Sequence, residues 1–139
     1  MVKLRLKELD TVLQELEKYK SIKPAALRHD LSMRWIIERG LQAGAELILE
    51  IGDHILSGHF CYYPETYEDI LKALFERDVI SDDLYLQIKG LGSLRNILIH
   101  RYIEIDTDLV FENFQKCLRV FPIFAKEILQ WLWDATTKH

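Results

Sequence analysis

The chain has 139 residues, 49% hydrophobic and 29% charged, a composition that excludes intrinsic disorder and suffices for a single domain over residues 1–139. Six glycines and three prolines are few for this length and favour a handful of long helices over many short strands. A formal net charge of −4 argues mildly against a protein that coats nucleic acid by charge alone, and leaves open an enzyme with a local basic site.

Hydrophobic periodicity predicts an all-α antiparallel bundle of about five helices. The first covers residues 3–20, where Leu6, Leu9, Leu13, Leu16 and Tyr19 recur at helical spacing. Residues 21–24 end it. The second covers residues 25–56, with Leu27, Leu31, Trp35, Leu41, Ala45, Ile48 and Ile55 near one stripe. Gly40, Gly44 and Gly52 either weaken this helix or let another helix approach closely. Residues 57–64 read as a loop. A short third helix over residues 66–77 opens at Thr66, which with Asp69 resembles a capping box. Ser81 caps a fourth helix running to Tyr102, with Asp82 and Asp83 at the positive end of its dipole. The fifth starts at Asp106 or Thr107 and runs to about residue 134, with Val110, Phe114, Leu118, Phe121 and Phe124 on its apolar face. Pro122 is expected to kink it, because proline removes an internal hydrogen bond.

Cys61 and Cys117 have no metal-ligand spacing, and two thiols without a secretory signal fit a reducing, cytoplasmic setting. No apolar run approaches the roughly 20 residues of a membrane helix, so no membrane partner is expected.

The chemistry concentrates in Arg95-Asn96-Ile97-Leu98-Ile99-His100-Arg101-Tyr102. Arginine offers a planar cationic fork for phosphate oxygens, histidine exchanges protons near neutral pH, and asparagine can orient either one. Asn96 and His100 share a helix face, whereas Arg95 and His100 stand about 140° apart around the axis. Arginine's length partly closes that gap. A composite site, in which two copies face one cleft across a twofold axis, closes it differently. By spacing alone, a solvated polar helix end explains the same residues.

The stretch Leu94-Arg95-Asn96-Ile97-Leu98-Ile99-His100-Arg101-Tyr102 resembles the Arg-x4-His motif of the HEPN superfamily, and in its extension to Arg-x4-His-x-Tyr it resembles the HepT-type toxins. The run from Gln42 through Gly44, Glu46, Glu50 and Asp53 to Ile55 is similar to that family's long second helix. Tyr67-Glu68-Asp69-Ile70-Leu71 with Val79-Ile80-Ser81 is similar to its middle section, and Tyr102 to Val110 to its passage into the last helix. The likeness keeps this order over roughly residues 31–129. Gly90-Leu91-Gly92-Ser93 departs from it by its glycine content, which is expected to loosen the turn before the motif.

The resemblance implies a metal-independent endoribonuclease toxin acting as a homodimer, needing no cofactor and taking RNA as substrate. It implies that Arg95 and His100 form the catalytic pair, that Asn96 supports them, and that Tyr102 is adenylylated by an MntA-like nucleotidyltransferase antitoxin. Glu46 is a candidate to orient His100, with Asp53 a weaker one. The alternative is a non-catalytic helical partner-binding module of the same superfamily; Arg95 and His100 both being present, with Asn96 between, favours the enzyme.

Glu46, Glu50 and His54 line one face of the second helix and invite a metal reading. Di-metal bundles need Glu-x-x-His pairs, and no Glu here has a His three residues later, so no metal is expected. Lys89, Arg95 and Arg101 form the positive cluster near the motif, which Arg34 and Arg39 would extend if the second helix lined the cleft. Trp131-Leu132-Trp133 reads as packing or interface surface, and His29, His59 and His139 as solvent-exposed.

Overall fold

Apolar residues at helical spacing become the buried stripes of seven α-helices, seen in a computed structural model that describes residues 1–100 and 106–137, with Ile97, Ile99 and His100 described by backbone only. They are α1 (Val2–Glu17), α2 (Pro24–His29), α3 (Leu31–His59), α4 (Tyr67–Glu76), α5 (Asp82–Ile88), α6 (Leu91–His100) and α7 (Thr107–Thr137). There is no strand among the described residues.

Two of the five expected helices are each divided, and this corrects the count. The expected second helix breaks at Asp30, whose backbone is extended (φ −116, ψ 97) and whose side chain accepts a hydrogen bond from the Met33 N–H at 3.1 Å. Pro24 occupies the first turn of α2, where its missing N–H is no loss. The expected fourth helix breaks at Lys89 and Gly90, between α5 and α6. At the other end of α3 the helix continues to His59, past the expected loop start. Pro122 is exposed and lies inside α7, which continues through it.

α3 is the central element, packed by α1, α4, α6 and α7. Its glycines admit the neighbours, which settles the open choice in favour of close approach. A Cβ at Gly44 would lie 2.9 Å from the Phe121 ring of α7, and one at Gly52 2.6 Å from Ile70 of α4. Gly40 makes the same room for Leu16 of α1. Phe114, Phe124, Leu9, Ile48 and Leu71 are among the largest fully buried side chains. Leu31 and Trp35, expected on the buried stripe, are instead 48% and 56% exposed. Within the unbroken α3, Leu31 and Trp35 stand roughly 80° and 120° around the axis from Leu41 at about 100° per residue, outside the buried stripe that Leu41, Ala45, Ile48 and Ile55 form.

The motif helix is placed by local contacts. Thr66 caps α4 by accepting from the Asp69 N–H at 3.0 Å. Asp69 does not close the expected capping box; its carboxylate accepts the Tyr62 hydroxyl at 2.6 Å, which pushes the Tyr62 phenol up from its usual value. The first turn of α6 lies against the first turn of α4: a Cβ at Gly92 would come within 2.6 Å of the Tyr67 Cβ. Gly92 is therefore a contact requirement inside the helix, while the looser turn that the glycine content suggests falls at Gly90, between α5 and α6. Arg95 pairs with Glu46, so α6 packs on α3 along the face that carries Glu46.

Candidate active site

The cleft where α3, α4 and α6 meet has a volume of about 790 Å³. Arg95 and Asn96 enter it from α6, Glu46, Glu50 and Asp53 from α3, and Glu65, Tyr67 and Glu68 from the start of α4. Periodicity explains the α3 wall: positions 46, 50 and 53 recur at helical spacing on the side opposite the buried Ile48 and Ile55.

Arg95 is held on several sides. Its Nε lies 3.6 Å from a Glu46 carboxylate oxygen, and its Nη1 donates to the Asn96 side-chain oxygen at 3.5 Å. Its guanidinium carbon stands 4.9 Å from the centre of the Tyr67 ring. Gln42 donates to the same Glu46 oxygen at 3.3 Å, and so holds the carboxylate that holds the arginine. The Arg95 and Glu46 side chains are about a quarter to a third exposed, so the pair orients Arg95 more than it stabilises the fold.

Three of the expected site residues, Arg95, Asn96 and Glu46, therefore meet in one place. Glu46 does so through Arg95; the contact expected with His100 concerns a side chain outside the described residues. The backbone of His100 ends α6, and Tyr102 and Arg101 lie outside the described residues. Tyr67 and Gly92 were missed as site residues. Tyr67 is far from Arg95 in sequence, and no spacing rule joins two helices whose contact depends on one absent Cβ.

The electrostatics of the cleft are lopsided. Its lining has Arg95 against the carboxylates of Glu46, Glu50, Asp53, Glu65 and Glu68. Arg5 of α1 offsets one of them, at 3.4 Å from Glu50. Arg34 and Arg39 do not extend the positive cluster. Arg34 is turned into the fold, with its Nε 3.3 Å from a Glu38 carboxylate oxygen, and Arg39 lies in a groove between α1 and α3. Burial of Glu38 pushes its carboxyl above the usual value, with Arg34 opposing. Burial likewise pushes the Cys117 thiol up to about 12, which leaves it an inert packing residue. Among the described residues no three His, Cys, Asp or Glu side chains converge to hold a metal ion. His59 is exposed but packs edge-on at 4.9 Å against Trp131, a partner the sequence did not reveal. No helix among the described residues is long and apolar enough to cross a membrane.

A family model described as HepT-like, ribonuclease HepT-like, matches residues 9–128. The tRNA nuclease HepT of Aphanizomenon flos-aquae is 27% identical over 132 residues, covering 95% of this chain and 90% of that protein. The mRNA nuclease HepT of Shewanella oneidensis is 27% identical over 101 residues, covering 73% and 76%. Among solved structures, the tri-AMPylated Shewanella oneidensis HEPN toxin in complex with MNT antitoxin superposes with a TM-score of 0.82 at 21% identity, covering 93% of this chain and 96% of that one. At that identity the superposition speaks for the fold alone.

Proposed function

Since the chain belongs to the HepT-like ribonuclease family, we propose that it is the toxin of a toxin–antitoxin pair and cleaves RNA without a metal ion, using Arg95 and His100. The observation that carries this reading is Arg95 itself, a cation held in a cleft wall by Glu46, Asn96 and Tyr67, with His100 ending the same helix.

The chemistry follows from the residue types. The ribose 2′-oxygen bonds to the adjacent phosphorus and the bond from phosphorus to the 5′-oxygen breaks. The 2′-hydroxyl loses a proton and the departing 5′-oxygen gains one, so a single acid–base residue serves both ends. His100 is assigned that role, typically worth about 10²–10⁴-fold. Arg95 is assigned the charge that builds on the phosphorane oxygens, where a preorganised donor acts most strongly.

The acidic lining bears on assembly. A phosphate entering this cleft would meet several carboxylates and one arginine. The reading includes a homodimer with a composite site, in which a second copy brings its own Arg95 and His100 to face the first pair across a twofold axis. Trp35 and Ile36 of α3 lie in a largely apolar groove against α1, on a helix whose further turns carry Glu46 and Glu50. Exposed apolar patches of this kind mark association surfaces.

Tyr102 is the proposed acceptor of an adenylyl group from an MntA-like nucleotidyltransferase antitoxin, in the cytoplasm. The AMPylated state of the Shewanella toxin held with its MNT antitoxin supports this by analogy. An added AMP brings bulk and negative charge, which repels an RNA backbone. With such an antitoxin, ATP and Mg²⁺, wild type is expected to gain the mass of AMP and Tyr102→Phe to gain none; equal gains would remove Tyr102 as acceptor.

The second reading, a non-catalytic partner-binding module, is favoured by the same acidic lining, which suits a basic protein partner. One experiment separates the two: purified protein on total RNA with EDTA present. Wild type is expected to cleave, His100→Ala to lose at least about a hundredfold in rate with helical content intact, and a matched deoxy substrate to survive. Wild-type rates in His100→Ala would overturn the catalytic assignment.

A further inference from the structure

Tyr67 belongs to neither the motif nor its helix, yet among the described residues it makes a specific contact with Arg95 from outside α6 and α3. Its ring centre lies 4.9 Å from the Arg95 guanidinium carbon, and both side chains line the cleft. The ring is brought there by two independent features. Thr66 caps α4 and sets where its first residue, Tyr67, emerges. Gly92, three residues before Arg95 and so one turn away on the same side of α6, lets that residue approach: a Cβ there would stand 2.6 Å from the Tyr67 Cβ and 3.5 Å from its Cγ.

We infer that Tyr67 is a positioning residue for Arg95, its ring face holding the guanidinium carbon without taking up the N–H donors that Glu46 and Asn96 leave free for a phosphate. The inference rests on the ribonuclease reading above.

The physical distinction is between two ways of holding a cation. A carboxylate such as Glu46 takes up N–H donors and competes with phosphate for them. An aromatic face attracts the cation through its quadrupole and uses no donor. In this cleft the difference matters, because Glu50, Asp53 and Glu68 are also within the same lining. Without the ring, the arginine would be free to turn towards these carboxylates and away from a reacting phosphate. The effect belongs to the transition state, where the phosphorane charge is largest, so it lowers kcat more than it raises KM.

The test uses Tyr67→Leu and Tyr67→Phe in the full chain; the side chain is 36% exposed, so neither change empties the core. Two readouts are taken: kcat and KM on RNA, and rotation of the Arg95 guanidinium by ¹⁵N NMR without RNA. Tyr67→Leu is expected to lower kcat about tenfold, the scale of a partly buried cation–π contact, with KM within about twofold. Tyr67→Phe keeps the ring and is expected to retain kcat. Guanidinium rotation is expected to quicken in Tyr67→Leu alone. If Tyr67→Leu leaves both kcat and rotation unchanged, the inference is overturned. Equal damage from Phe and Leu overturns the ring-face account and points to the hydroxyl. If wild type itself cleaves no RNA, the ribonuclease reading fails, and the NMR comparison alone decides whether the ring holds Arg95.

Discussion

Arg34 and Glu38 display the tension that a buried charge creates at the scale of one residue. Glu38 is 7% exposed, and its Oε1 lies 3.3 Å from the Arg34 Nε with neither atom in a hydrogen bond. Proximity gives Coulomb attraction, but without aligned bonds it does not offset desolvation, and desolvation is the larger influence on the carboxyl. The folded state therefore holds the Glu38 proton more tightly than the unfolded chain does. The stability this group contributes is present below the usual carboxyl value of 4.5 and is lost as pH rises through the raised folded value. A ¹³C titration of Glu38 is expected to give a midpoint above 4.5. The stability of wild type relative to Glu38→Gln should fall as pH rises across the same window; a midpoint below the usual value would contradict the burial account.

At the scale of the element, α3 carries both the start-up logic and the packing logic of the fold. Its N-cap is one hydrogen bond, from the Met33 N–H to the Asp30 carboxylate. Asp30→Ala is expected to reduce stability by about 1 kcal/mol, the usual loss for an N-cap. Gly44 is the contrasting case, because Phe121 occupies the place its side chain would take. Gly44→Leu would have to displace an aromatic ring that is 4% exposed, and overpacking of that kind typically loses roughly 1–3 kcal/mol or more. Urea unfolding of both variants is the check. A Gly44→Leu protein as stable as wild type would mean that α7 does not pack on α3 at Phe121. The same comparison separates what was legible from what was not. The stripes Leu6, Leu9, Leu16 and Val110, Phe114, Phe121, Phe124 can be read directly, since burial follows periodicity. The break at Asp30 is masked, although aspartate favours caps over helix interiors, because Leu27, Leu31 and Trp35 keep a helical spacing of four straight across it.

The whole molecule presents an acid-lined cleft on a chain of net charge −4, in a family of ribonucleases. Polyanion binding then rests on few cations, and a second copy facing the first is proposed to bring a second Arg95 to the same site. The groove holding Trp35 and Ile36 is the surface to test. Along α3, Trp35 stands about 16 Å from Glu46 at ~1.5 Å per residue, close enough for one interface to span both. Trp35→Glu is expected to shift the mass in light scattering from dimer to monomer. RNA cleavage should be lost with it, and the thermal midpoint should fall to that of the monomer and stop depending on protein concentration, while helical content is retained because the side chain is 56% exposed within one chain. A Trp35→Glu protein that remains dimeric and active would place the association surface elsewhere.

Local and periodic information in the sequence was enough to determine the all-helical class and the capped starts at Thr66 and Ser81, while the stretch around Arg95 was singled out by its resemblance to a family motif. The class and the caps depend on neighbours within a turn or two. Tertiary structure alone decided that Glu46 holds Arg95, that the Tyr67 ring lies against the Arg95 guanidinium, and that Gly92 leaves room for Tyr67. Each of these depends on the register between helices, and that register is set by how glycines and rings interlock across the core. No helical period records it, because the residues that meet are distant in sequence and one partner is the absence of a side chain.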